Sequence, residues 1–202
     1  CWRKTTKTCS SFVKLLCALP LPFAMGFTMQ RIMIVGCSGS GKSTLARRIG
    51  AALGLPVVHL DQQYFYPGWV EKPQSEFDAI LDENVAQERW VMDGNYSRTF
   101  PRRLPRAQAV IFLDFPTWFC LYRVLKRIIT SLGKVRPDSA PGCTERFDLT
   151  FLGYVLNYNP RSRPKMLKAM EGFSGEFVRL TSVKQIDVFV EKLSTGSALP
   201  TD

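Results

Sequence analysis

Near the start of the chain, Gly36-Cys37-Ser38-Gly39-Ser40-Gly41-Lys42-Ser43 limits what it can fold into more than any other stretch. The spacing is G-x-x-x-x-G-K-[ST], and each position has a physical reason. Glycines let the backbone curl so that successive N–H groups point at an anion, and Lys42 supplies a charge suited to β/γ phosphates. Ser43, followed by Thr44, offers a hydroxyl to Mg²⁺. The apolar run Ile32 to Val35 precedes the glycines, and Leu45, Ile49 and Leu53 recur behind them on one helical face. A strand therefore feeds the loop, and a helix points its positive end at the same anion. Cys37 lies near that helix start, where a thiolate is favoured, but it reads best as a tolerated spacer.

Three further apolar runs end in an aspartate: Val57 to Asp61, Trp90 to Asp93 and Val110 to Asp114. A fifth, Phe177 to Leu180, precedes a terminal helix. Runs without polar alternation suit strands buried on both faces, and the helical pattern between them (Phe77, Ile80, Leu81, Val85, with Ser75 and Asp78 as a capping pair) suggests parallel βαβ units. The expected fold is an open α/β sheet whose ligand lies beyond the carboxyl ends of the strands, where Asp61, Asp93 and Asp114 would converge on the phosphate loop. His59, the only histidine of the chain, reads as a strand-face or core residue.

The formal charge of +10 over 202 residues asks for an anionic partner, and its distribution narrows which one. Residues 98–168 hold 14 basic and four acidic side chains, an excess that the acidic balance of the flanking parts of 29–202 partly cancels. A uniformly basic nucleic-acid coat is a poor description of such a chain. Residues 1–28 carry Arg3, Lys4, Lys7 and Lys14 and a proline-interrupted apolar run. That run is too short to span a membrane with confidence, and the segment is expected to be a leader or extension outside the fold. The domain is expected over 29–195, with 196–202 as a tail. The six cysteines contain no C-x-x-C pair, so neither a disulfide framework nor a zinc site is indicated.

Arg123 and Arg127 are four apart and share one helix face, which on spacing alone reads first as an ordinary solvated basic face and second as a pair of guanidiniums for a transferring phosphoryl group. Gly133 to Cys143 lacks a core pattern and reads as an exposed loop able to close over a ligand. The phosphate loop, Asp93-Gly94, and Leu113-Asp114-Phe115-Pro116 followed by the two arginines resemble adenylate kinase and related P-loop nucleoside and nucleotide kinases. From Arg31 to about Leu193 the chain also resembles the small P-loop proteins known as DNA topology modulation proteins. The marks are HLD, PGW, WVMDGNYS, LDFP, the arginine pair, RPD, GC-x-E-x-x-D and the Asn157 to Lys165 run.

The resemblance implies a three-layer fold with a five-stranded parallel sheet, helices on both faces, ATP and Mg²⁺ binding, and a lid over about 123–168. It implies ATP on Gly36 to Thr44, Lys42 with Arg123 and Arg127 at the transferring phosphate, and Mg²⁺ at Ser43 and Asp93 with Asp114 second in line. Asp61 resembles the residue with which shikimate and gluconate kinases hold the acceptor hydroxyl. Acceptor contacts are expected from Asp61, Tyr64, Trp69 and Arg98, although these aromatics could equally belong to the core. Arg98 follows Asp93 by five residues, where adenylate kinases place the acceptor-gripping arginine four after their aspartate, so nucleotide, nucleoside and hydroxylated metabolite stay open as acceptors. The leading expectation is a cytoplasmic small-molecule kinase. The second is an ATP-binding, DNA-associated protein without such activity.

Overall fold

The computed structural model describes residues 29–195; the expected leader (1–28) and tail (196–202) lie outside the described residues. The chain runs β1 (Arg31–Gly36), α1 (Lys42–Leu53), β2 (Val57–His59), α2 (Leu60–Tyr64), β3 (Phe65–Tyr66), β4 (Val70–Glu71), α3 (Gln74–Ala86) and β5 (Trp90–Asp93). A 3-10 turn (Ser97–Thr99) leads to α4 (Phe100–Arg103), β6 (Ala109–Leu113) and α5 (Thr117–Ser131). Then come α6 (Leu149–Leu156), a π-helical turn (Tyr158–Ser162), α7 (Arg163–Met170), β7 (Glu176–Leu180) and α8 (Val183–Thr195).

Five strands form one parallel sheet in the order β2-β5-β1-β6-β7, and β3 and β4 make a small antiparallel hairpin. The expected α/β architecture is the one observed. Period-2 alternation divides the apolar strand residues between two cores: Ile32 and Ile34 face the α1, α5 and α8 side, whereas Met33 and Val35 face the side of α3 and α7. Both sets are fully buried, which is why the strands read as unbroken apolar runs. The chain order places β1 at the centre, so its carboxyl end, and the phosphate loop that follows, lies between β5 and β6. That loop packs so closely on β6 that a Cβ at Gly36 would sit 2.6 Å from the Leu113 carbonyl oxygen.

Several local expectations change. The second run breaks at His59, and Asp61 lies in the first turn of α2 rather than at a strand end. Ser75 does not cap α3: the helix begins at Gln74 behind Pro73, and Asp78 instead pairs with Arg98. The Gly133 to Cys143 stretch is not wholly exposed, since Ser139, Ala140 and Cys143 are buried.

One buried cation shapes the carboxyl edge of the sheet. Arg103, 0% exposed, donates to the carbonyl oxygens of Gly94 (3.0 Å), Asn95 (2.5 Å) and Tyr96 (3.4 Å), and its guanidinium lies 5.1 Å from the Phe100 ring centre. Burial pulls its pKa down to about 9. The loop after β5 is therefore held by one guanidinium. Arg103→Met should cost about 2–4 kcal/mol, because it strands buried carbonyls that charge-assisted hydrogen bonds now satisfy; urea unfolding of the two proteins would measure it.

Candidate active site

A cleft of about 920 Å³ opens at the carboxyl edge of the sheet. Its floor is the phosphate loop, with Ser38, Gly39, Gly41, Lys42, Ser43 and Thr44 on its surface. Gly41 precedes α1 with φ 101°, a conformation that glycine reaches without strain. Lys42 curls over the loop and donates from Nζ to the Cys37 carbonyl at 3.0 Å. Gly36, Cys37 and Ser40 lie beneath this surface rather than on it: Gly36 N–H donates to Asn95 Oδ1 (3.0 Å), and Cys37 and Ser40 are buried. The buried thiol of Cys37 is pushed up by its hydrogen bond with Cys120 and by burial, so no thiolate forms there at neutral pH.

Ser43 Oγ donates to Asp93 Oδ2 at 2.7 Å, and the other oxygen of Asp93 meets His59 Nδ1. Asp138 belongs to the same group. Burial pushes its carboxyl up, but Arg136 and the Ser43 hydroxyl outweigh that and hold it below the usual carboxylate range. A hydroxyl and two carboxylates are hard oxygen donors of the kind Mg²⁺ takes, so the residues present fit that ion. Sequence reasoning passed over His59 as a strand residue and did not single out Asp138, although Asp138 stands in the RPD mark.

Asp114 does not join them. It lies in a separate hollow with Phe115, Asn159 and Thr181, where Arg163 reaches its two oxygens at 2.8 and 2.7 Å and Arg179 Nε donates at 2.7 Å. Burial raises its pKa, but the two guanidiniums overcome this and hold the carboxyl below the usual range. The expected metal role is corrected accordingly, since two cations already occupy the carboxylate. Arg98 is a second correction. It is exposed, bound to Asp78 at 2.6 and 3.1 Å, and absent from the cleft wall.

Asp61 does line the cleft, with Tyr64, Phe65 and Trp69 beside it. Burial raises its pKa against the Tyr96 hydroxyl, which donates to Oδ1 at 2.8 Å, and against Lys42. Arg123 and Arg127 both reach the cleft but play different parts. The Arg123 guanidinium lies 3.4 Å from where a Cβ on Gly41 would sit and 5.6 Å from the Phe119 ring centre, with no carboxylate paired to it among the described residues. Arg127 is bound to buried Glu145 at 3.1 and 2.9 Å, and Arg136 holds the other oxygen of Glu145 at 2.8 Å. Arg136 also reaches Asp138 at 2.9 Å. Much of the positive charge of 98–168 is thus turned inward onto carboxylates or, for Arg98 and Arg102, onto Asp78 and Asp82.

Among the described residues no helix is long and apolar enough to cross a membrane. No protein-family model and no curated protein matches the sequence. Solved structures do. A shikimate kinase from Acinetobacter baumannii in complex with shikimate is 18% identical, with a TM-score of 0.54 over 82% of this chain and 91% of its own. A shikimate kinase from Bacteroides thetaiotaomicron is 17% identical, with a TM-score of 0.51 over 83% and 98%. A gluconokinase from Sinorhizobium meliloti 1021 is 17% identical, with a TM-score of 0.47 over 83% and 90%. At such identities the likeness is one of fold: the two shikimate kinases share the arrangement of this chain's five-stranded parallel α/β sheet. Kinship with the DNA topology modulation proteins finds no support in these likenesses.

The Asp114 cluster has a testable pH signature. A carboxyl held low in the folded state contributes stability above its unfolded pKa, and that contribution is lost as pH falls through the folded value. Asp114→Asn should therefore lower Tm at pH 7, and its deficit should shrink below about pH 4. Thermal melts of both proteins from pH 7 to pH 3 would show the gap closing.

Proposed function

We propose that this chain is a phosphotransferase that moves the terminal phosphoryl group of ATP to a hydroxyl of a small-molecule acceptor, with Mg²⁺. The observation that carries the reading is the 2.7 Å contact between Ser43 Oγ and Asp93 Oδ2 at the phosphate loop, in one cleft with Lys42, Arg123 and Asp61. The small-molecule kinases of like fold support it.

Phosphoryl transfer needs alignment and charge neutralisation more than covalent help. The backbone N–H groups on the cleft side of the loop, at Gly39 and Gly41 to Thr44, and the positive end of α1 bind the phosphates, and Lys42 answers the charge of the β and γ groups. Ser43, Asp93 and Asp138 would hold Mg²⁺, which when bound neutralises phosphate charge. Arg123, placed beside Gly41, stabilises charge that spreads over the moving phosphoryl group. Arg127 supports the same end from α5 while it is tied to Glu145. Asp61 accepts the proton of the attacking hydroxyl: its raised pKa makes it a better base than an exposed carboxylate, and the Tyr96 hydroxyl fixes its orientation. The lid expected over 123–168 narrows to the stretch from Leu132 to Asp148, since Val124, Ile128, Leu152, Val155 and Met166 are buried in the two cores, and that stretch shields the cleft from water.

Lys42→Ala should lower turnover by at least about 100-fold while leaving the far-ultraviolet circular dichroism unchanged; full activity in that variant would sink the reading. ATP consumption measured against nucleotides, nucleosides and hydroxylated metabolites supplies the assay. The rate should rise with pH as Asp61 loses its proton, with the acidic limb above the ordinary aspartate range. Tyr96→Phe removes a donor that favours the charged carboxylate, so it should move this limb to higher pH.

A further inference from the structure

Trp69 and Tyr96 are the two non-glycine residues with positive φ among the described residues, at 64° and 30°. Bulky side chains avoid that region, and such strain persists only where the surroundings enforce it. Both line the same cleft. Trp69 is held there from the far side: its backbone N–H donates to Cys143 Sγ at 3.3 Å and its indole Nε1–H to the Thr144 carbonyl at 2.7 Å. Tyr96 is held by its hydroxyl on Asp61 and by Arg103 on its carbonyl.

Between them the rings form one wall. Trp69 meets Phe65 at 5.2 Å between ring centres, Phe65 meets Tyr64 at 4.8 Å, and Tyr64 meets Tyr96 at 5.0 Å, each edge to face. The wall runs directly to the Asp61 carboxylate. The charged side chains among the rings are acidic: besides Asp61 the cleft takes Glu71, whose Oε2 accepts from the Tyr64 hydroxyl at 2.7 Å. Of the guanidiniums on the cleft wall, Arg127 and Arg136 are bound to Glu145, Arg146 meets Asp148 at 3.4 Å, and Arg123 stands at the phosphate end beside Gly41. Lys165, exposed on α7, reaches the cleft from a different element.

We propose that the acceptor is an uncharged alcohol carried on a flat unsaturated ring, a nucleoside or an aryl alcohol, with its ring on the Phe65–Trp69 wall and its hydroxyl at Asp61. This rests on the phosphotransferase reading. The hydroxyl gives its proton to Asp61, and its oxygen bonds to the terminal phosphorus. The bond from that phosphorus to the bridging oxygen breaks, and ADP leaves.

The test is calorimetric titration of the full chain, its ATP site saturated with a non-hydrolysable ATP analogue and Mg²⁺. The probes are cytidine, guanosine, 4-hydroxybenzyl alcohol, gluconate, shikimate and cytidine monophosphate. A nucleoside or the aryl alcohol should bind most tightly, and which of them does so separates the two sources. Trp69→Leu should weaken that binding about tenfold or more, the size of a lost ring-stacking contact, and Trp69→Phe should restore most of it. With ATP itself, Trp69→Leu should raise KM more than it lowers kcat, whereas Asp61→Asn should lower kcat. Tighter binding of gluconate, shikimate or cytidine monophosphate, no binding of any ring alcohol, or indifference to Trp69→Leu would overturn the proposal. Ring binding that depends on Trp69 without phosphoryl transfer would instead remove the phosphotransferase reading and leave a ring-binding pocket.

Discussion

The carboxylate of Asp93 is the junction on which the carboxyl edge of this molecule depends. It ends β5, one strand from the centre, and is almost fully buried. One oxygen takes the Ser43 hydroxyl at the start of α1 and the other meets His59 at the end of β2. Three elements that are distant in sequence are thereby fixed at one charged group. A buried carboxylate is costly without such partners. One of those partners, the Ser43 hydroxyl, is also the group that the proposed Mg²⁺ site would use, so packing and chemistry ask for the same geometry there.

The parts of the structure legible in the sequence are those whose signal is local. The phosphate loop is encoded by eight consecutive residues, and the buried strands by their apolar runs, so the sheet and its loop follow almost directly. Asp93 follows from the rule that a parallel sheet sends everything at its strand ends to one side, whereas Asp61 reaches the same cleft from the first turn of α2. Asp114 obeyed the same rule and still went elsewhere, because Arg163 and Arg179, 49 and 65 residues away, claim it. No spacing within the chain announces those partners. Glu145 and Asp138 lie in a stretch without periodicity, so their inward turn toward arginines becomes visible only in three dimensions. Arg103 was hidden in another way. It sits in a run of basic residues and looks like any surface charge, yet it is fully buried.

The distribution of charge changes meaning once the pairs are known. A stretch with ten excess positive charges could have presented an open basic face to a polyanion. Instead Arg127, Arg136 and Arg163 are bound to Glu145, Asp138 and Asp114, the first two acids lining the cleft and Asp114 a separate hollow. Arg123, beside Gly41, lines the cleft with no carboxylate paired to it among the described residues. On the proposed reading, the electrostatics answer a small enclosed anion rather than an extended one.

The grip of Arg163 on Asp114 also sets how the molecule can yield. Through it the start of α7 is fastened beside the end of β6, while Val124 and Ile128 bury α5 in the core. The stretch from Leu132 to Asp148 is therefore a bridge with both abutments built into the domain, and Glu145 is its keystone, clasped from below by Arg127 and from within by Arg136. Such a span gives way at the keystone before it gives way at its ends. Ionic strength acts weakly on a group so well shielded from water, so the bridge should hold at salt concentrations that loosen exposed pairs such as Arg106 with Glu88.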